Sequence, residues 1–155
     1  MRHGRFTLCS ALGTGALAAV ALVLAPAAGA VDPQEATIDF ECGSFGSGSA
    51  KLTATQNGTS ATIEVSTSAI TAPVDVGAGA VNSTLTLTKN GTGTTTFTGN
   101  ANPAIPAGSP VSTGPMNGTV ASGDRLSATS LKIVVFGITV TCNATSEQKP
   151  GPFVF

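Results

Sequence analysis

An all-β fold of short antiparallel strands is what the sequence predicts, on three observations. Aliphatic residues alternate with Thr, Ser or a charge in run after run, the pattern of strands with a single buried face. Gly, Asn and Pro punctuate these runs at the regular spacing of roughly 8 to 12 residues that marks all-β domains, and no run shows helical periodicity. Cys42 and Cys142 stand near the two ends of the chain beyond residue 30, each on the apolar side of its own alternation. Together these predict an immunoglobulin-like antiparallel β-sandwich with one disulfide, preceded by a cleavable helical signal peptide.

The signal is expected over residues 1–30. Arg2, His3 and Arg5 form a positive start, an Ala/Leu/Val run extends from Leu8 to Leu24, and Ala28-Gly29-Ala30 is the small-x-small pattern of a cleavage site. A retained membrane anchor is the alternative, but the run is Ala-rich, is interrupted by Gly13 and Gly15, and ends at Pro26. Cys9 lies ahead of most of the apolar run, away from the site a lipid-bearing cysteine would need. The two arginines are not adjacent, so the general secretory route is expected. Residues 31–155 remain, a length that suits one domain with one core.

The strands follow in order. Ile38, Phe40 and Cys42 share the inward face of the first, with Thr37, Asp39 and Glu41 outward. Leu52 and Ala54, then Ala61, Ile63 and Val65, form a hairpin around Asn57-Gly58, a pair that adopts the positive φ angles of a tight antiparallel turn. A second hairpin places Leu85, Leu87 and Phe97 inward around Asn90-Gly91. Between Asn100 and Asn117 stand Pro103, Pro106, Pro110 and Pro115, so this stretch is expected to cross an edge or one end of the fold rather than form a central strand. Asn117-Gly118 and Ser122-Gly123-Asp124 read as turns. Leu131, Ile133 and Val135 share one parity, and Ile138, Val140 and Cys142 the other, so a bulge or kink is expected at Gly137. The Pro-rich tail ends in Phe153 and Phe155, expected to dock on an edge or to stay loose.

Paired, Cys42 and Cys142 would close a loop of about 100 residues, worth roughly 4.7 kcal/mol in the chain-entropy model. Two free buried thiols are the alternative, and an exported chain disfavours them.

Charge and composition narrow the function. Of the 7 basic residues Arg2 and Arg5 fall in the signal, which leaves 5 against all 8 acidic ones, a net charge of about −3. No basic patch exists to recruit nucleic acid or anionic lipid. The only His is His3, so the exported part has no Ser-His-Asp or Cys-His constellation, and it lacks the commonest zinc ligand. No catalytic, metal-binding or cofactor-binding residue is expected, and no cofactor is implied. Carboxylates remain: Asp39 and Glu41 on one strand face, then Glu64, Asp75 and Asp124. They read more simply as solvated charges that keep a β domain soluble.

Other motifs carry little. Five Asn-x-Ser/Thr sequons stand at Asn57, Asn82, Asn90, Asn117 and Asn143, three of them Asn-Gly-Thr that hairpin chemistry already explains. Asp124-Arg125 reads as turn chemistry before recognition. The threonines at 84, 86 and 88 and at 94, 96 and 98 suit a wet strand face. They could also present a flat array to ice or a crystalline polymer, but they lack a long repeat.

The Ala-rich signal, Phe40-Glu41-Cys42 in the first strand, the Pro-bounded Ala72-Pro73-Val74 and Ile105-Pro106-Ala107-Gly108, and the closing Gly137-Ile138-Thr139-Val140-Thr141-Cys142 resemble small secreted actinobacterial proteins with an uncharacterised β-sandwich domain. The resemblance implies export and a sandwich, and it carries no activity.

Two functions stay open. One is a non-enzymatic extracellular or cell-envelope module, structural or binding an extracellular or cell-wall protein, with Ile105, Val111 and Met116 as its contact loop. The other is a secreted hydrolase acting through carboxylates alone, for which a cleft converging on two of them would be the sign. A carbohydrate-binding module is weaker, because Trp and Tyr are absent. After signal cleavage no membrane insertion is expected.

Overall fold

The computed structural model describes residues 30–155, so the signal expected over 1–30 lies outside the described residues except for Ala30. The strands are β1 (Glu35–Glu41), β2 (Ser47–Asn57), β3 (Ser60–Thr71), β4 (Asn82–Lys89), β5 (Gly93–Gly99), β6 (Pro110–Thr119), β7 (Arg125–Val135), β8 (Ile138–Ala144) and the short β9 (Phe153–Val154). One 3-10 turn, Gly43–Phe45, joins β1 to β2.

The first eight are hydrogen-bonded in the order β4-β5-β6-β3-β2-β1-β8-β7, and β7 pairs back to β4 from Leu126 to Val134. The sheet therefore closes into an eight-stranded antiparallel barrel, not the two stacked sheets of an immunoglobulin-like sandwich. Both architectures need strands with one apolar face, so alternation does not separate them; the β4–β7 pairing does. In a barrel the buried face becomes the interior. Every inward residue expected on β1 to β5 is buried or half-buried there, and the outside is largely threonine and charge. Across the β4–β5 hairpin the outward threonines stand directly opposite one another, as in Thr84↔Thr98, Thr86↔Thr96 and Thr88↔Thr94.

Three local expectations change. The proline-containing stretch divides: residues 100–109 cross one end of the fold as expected, but from Pro110 it forms a strand, β6, which pairs with β3 from Ser60↔Thr119 to Thr71↔Pro110. Its prolines are tolerated because Pro110 opens the strand and Pro115 follows an irregular step between Glu64 and Ser66, where side chains supply the missing ladder bonds. There the Val65 N–H donates to Thr113 Oγ1 at 3.0 Å and the Gly114 N–H to Ser112 Oγ at 3.0 Å. Asn117-Gly118 is not a turn but part of β6, and Gly118 is needed for close approach, since a Cβ there would stand 2.6 Å from the Phe97 ring. Gly137 marks a hairpin turn rather than a kink within one strand. Phe136 (φ 52°) and Gly137 (φ 74°) are its two central residues, and Val135 pairs with Ile138 across it. The irregularity within β7 lies earlier, where Thr86 faces Ser130 and Leu87 faces Ala128, leaving Thr129 as the extra residue.

Two seams of the barrel are thin: β5–β6 is paired only at Thr98↔Asn117, and β1–β8 only at Phe40↔Ala144 and Glu41↔Asn143. The Cys42–Cys142 disulfide continues that register, its Cα atoms 4.0 Å apart across a sequence separation of 100. Below it the C-terminal tail fills the wall. Thr37 and Lys149 exchange backbone hydrogen bonds, as do Asp32 and Val154, and β9 pairs with β7 at Leu126↔Phe153. Buried Gln148 completes the β7 edge by accepting the Ala128 N–H at 3.0 Å. Phe153 and Phe155 are thus core residues, edge-to-face with centroids 6.4 Å apart.

The interior is uneven along the barrel axis. Toward the turns at Gly58-Thr59, Asn90-Gly91 and Ala121–Asp124 it is filled by Phe97, Phe153, Met116, Leu87, Leu126 and Ile63, all fully buried. Toward the other end it is hollow.

An apolar cavity at the open end of the barrel

The hollow end encloses about 440 Å³. Its inner wall comes from Ile38 and Phe40 of β1, Ala50 and Leu52 of β2, Val65 of β3, Leu85 of β4, Ala128, Leu131 and Ile133 of β7, and Val140 of β8, with Cys42 and Cys142 beside them. Space is left because Ala50, Val65, Thr67 and Ala128 stand where the other end carries Phe and Met. An eight-stranded barrel has an interior that side chains can just fill, so small residues at one level open a ligand-sized void.

Four loops frame the mouth: the Gly43–Phe45 turn, residues 72–81, residues 100–109, and the Phe136-Gly137 turn. The second and third brace each other. Val76 and Ile105 exchange backbone hydrogen bonds at 2.9 Å, Asp75 Oδ1 accepts the Ala107 N–H at 2.8 Å, and Ala72 is bonded to Ser109 and Gly108. Asn102, buried, takes the Val81 N–H at 2.9 Å and donates to the carbonyls of Gly77 and Pro103. This side of the mouth is therefore held open by a polar clamp behind it.

The rim itself is apolar. Phe45, Val74, Phe136 and Ile138, between 50% and 63% exposed, are the exposed large hydrophobic residues of the described chain, and all four line the cavity mouth. Phe136 adds a backbone cost, since a positive φ suits Gly or Asn far better than a bulky side chain.

Polar chemistry inside is scarce and largely used up. Thr67 Oγ1 donates to Ser49 O, Thr113 Oγ1 to Gly114 O, Ser112 Oγ to Glu64 Oε1, and Thr129 Oγ1 to Thr86 O, at 2.7 to 3.0 Å. No charged side chain lines the cavity.

The residues singled out from sequence are dispersed. Asp39 and Glu41 are exposed on the outer face of β1, Glu64 is held by Ser112, and Asp75 braces the rim loops. Asp124 is buried at the closed end. Its Oδ2 accepts the Ala121 N–H at 2.8 Å and lies 2.9 Å from Lys89 Nζ, and its Oδ1 accepts from Asn90 Nδ2 at 3.2 Å. The Ala121 N–H first, then the Lys89 hydrogen bond, hold its carboxyl below the usual carboxylate range against the opposing effect of burial. No two of these five converge on a cleft. Among the described residues no group of three His, Cys, Asp or Glu is placed to hold a metal ion, and no helix is long and apolar enough to cross a membrane.

Ile105 and Met116 are buried and Val111 is half-buried in the cavity wall, so they are not presented as the contact loop expected of them. Alternation identified the inward positions, but the cavity itself depends on which inward positions share a level of the barrel, and that follows only from strand order. No family model, curated protein or solved structure matches this chain.

Proposed function

We propose that this is a secreted, non-enzymatic barrel that binds an apolar small molecule in the cavity at its open end. The observation that carries the reading is a mouth of about 440 Å³ walled by hydrocarbon and rimmed by every large exposed hydrophobic residue described. Ligand sites are typically concave, mostly apolar and roughly 300 to 1,000 Å³. The hollow end leaves apolar wall unburied, and each Å² of apolar surface not removed from water forgoes about 25 cal/mol. A domain of this length retains such a void at the expense of stability, and an occupant supplies the reason.

Export is supported by the disulfide, which oxidising compartments maintain. The polar outside, rich in threonine, favours water around the barrel rather than lipid, whose barrels are apolar outward. An extracellular or cell-wall setting follows from the export pattern. Binding rather than catalysis is favoured because the cavity offers no carboxylate, and most of its hydroxyls donate to protein acceptors.

The test is titration with 1-aminoanthracene, an uncharged probe that brightens in apolar surroundings. Saturable binding is expected, and Ala50→Leu combined with Val65→Phe should remove it by filling the cavity while leaving thermal stability equal or higher. Binding that survives the filling, or none to the parent protein, would refute the reading.

A further inference from the structure

We infer that the occupant is a single flexible hydrocarbon chain, of about 15 methylene-sized units, whose polar head stays outside the mouth and is not recognised. This deepens the ligand-binding reading and rests on it. A methylene takes roughly the volume of a water molecule, ~30 Å³, so 440 Å³ accommodates that many units.

The chemistry of the wall argues for a chain without polar interruptions. A buried ligand hydroxyl, amide or carboxylate needs a partner, or it costs the complex its full desolvation. The hydroxyls of Thr67, Ser112, Thr113 and Thr129 already donate to protein acceptors, Thr71 is exposed at the mouth, and Ser130 is paired with the outward residues Thr86 and Asn143. What remains for an occupant inside is apolar contact.

The mouth argues that the head is not read. Its four loops contain no Lys, Arg or His, and their single charged residue, Asp75, is committed to the Ala107 N–H. A site built for fatty carboxylates or phosphates would place a cation there. Instead Phe45, Val74, Phe136 and Ile138 extend the apolar wall past the strand ends. That extension shields the last methylenes of a chain as it emerges into water. Phe136 sits at the tip of its hairpin with a positive φ, an exposed and conformationally costly placement that contact with such a chain would explain.

The test uses the oxidised protein and three amphiphiles of equal chain length below micelle formation: dodecanol, dodecanoate and dodecyltrimethylammonium. Octanol, decanol and tetradecanol vary the length, and each ligand competes with 1-aminoanthracene. Affinity should rise about threefold to fourfold per added methylene. The three head groups should agree within about fivefold, the range that exposed charges at the mouth allow, and the order should not change with salt. Phe136→Ser should weaken tetradecanol several-fold without unfolding an exposed turn. A preference above tenfold for one head, affinity independent of chain length, or tetradecanol binding unchanged by Phe136→Ser would overturn the inference. Binding of the fused-ring probe with no competition by any chain would also overturn it while leaving the ligand-binding reading standing; absence of both would remove the two together.

Discussion

Removing the disulfide is the most informative single perturbation of the fold. β1 and β8 meet at only two residue pairs, Phe40↔Ala144 and Glu41↔Asn143, and Cys42–Cys142 is the next rung of the same register. The neighbouring β2–β3 pair is continuous from Lys51↔Ser66 to Asn57↔Ser60. A double Cys42→Ala, Cys142→Ala variant frees a closed loop of 100 residues, for which the chain-entropy model gives about 4.7 kcal/mol. Against the 5 to 15 kcal/mol typical of a domain this is a large share. With a urea m-value of about 1 to 3 kcal/mol/M, the unfolding midpoint should fall by roughly 1.6 to 4.7 M. Amide exchange should also change unevenly, with Glu41 and Asn143 losing protection well before Ile63 and Ala54. A loss below about 1 kcal/mol, or exchange that rises equally in β2–β3 and at the seam, would refute the role given to this link as the clasp of the barrel.

Gly118→Ala places a methyl against the Phe97 ring, and overpacking of this kind should cost about 1 to 3 kcal/mol in chemical denaturation. Asp124 has a folded pKa below its unfolded value of about 3.9, so its stabilisation is present above that value and is lost as pH falls through the lower folded one. Stability of the parent protein should therefore drop more steeply than that of Asp124→Asn below about pH 4, measured as melting temperature against pH. Phe136→Asn converts the β7–β8 turn to Asn-Gly, which accepts positive φ, and should raise stability by about 1 kcal/mol while weakening apolar binding. A gain in stability with no loss of binding would show that Phe136 is strained for some other reason.

The strand faces were legible because period-two alternation is a local property. Ile38, Phe40, Leu52, Ile63, Leu85, Leu87 and Phe97 point inward as their runs require, and the Asn90-Gly91 turn falls where its chemistry puts it, whereas the β2–β3 turn is centred one residue later than expected, on Gly58-Thr59, with Asn57 paired to Ser60. The pairing of Cys42 with Cys142 followed from inward parity and export. Closure was not legible, since it depends on β4 meeting β7 across some forty residues of sequence. The proline-bearing strand β6 was hidden because the hydroxyls of Ser112 and Thr113 substitute for backbone bonds, a compensation that appears only beside β3. Phe136-Gly137 misled for a different reason: a bulky aromatic residue is a poor candidate for the first position of a tight turn. The cavity was hidden most deeply. Ala50, Val65 and Ala128 are unremarkable small residues until the barrel stacks them at one level.

The most direct test of a half-filled barrel is a methyl-resolved NMR titration of the oxidised protein with dodecanol. Shifts should concentrate on Val65, Leu85, Ile133 and Val140 around the cavity and spare Leu87, Leu126 and Ile63 in the packed end. Shifts scattered over the outer surface, or centred on the packed end, would contradict a ligand seated in the open end of the barrel.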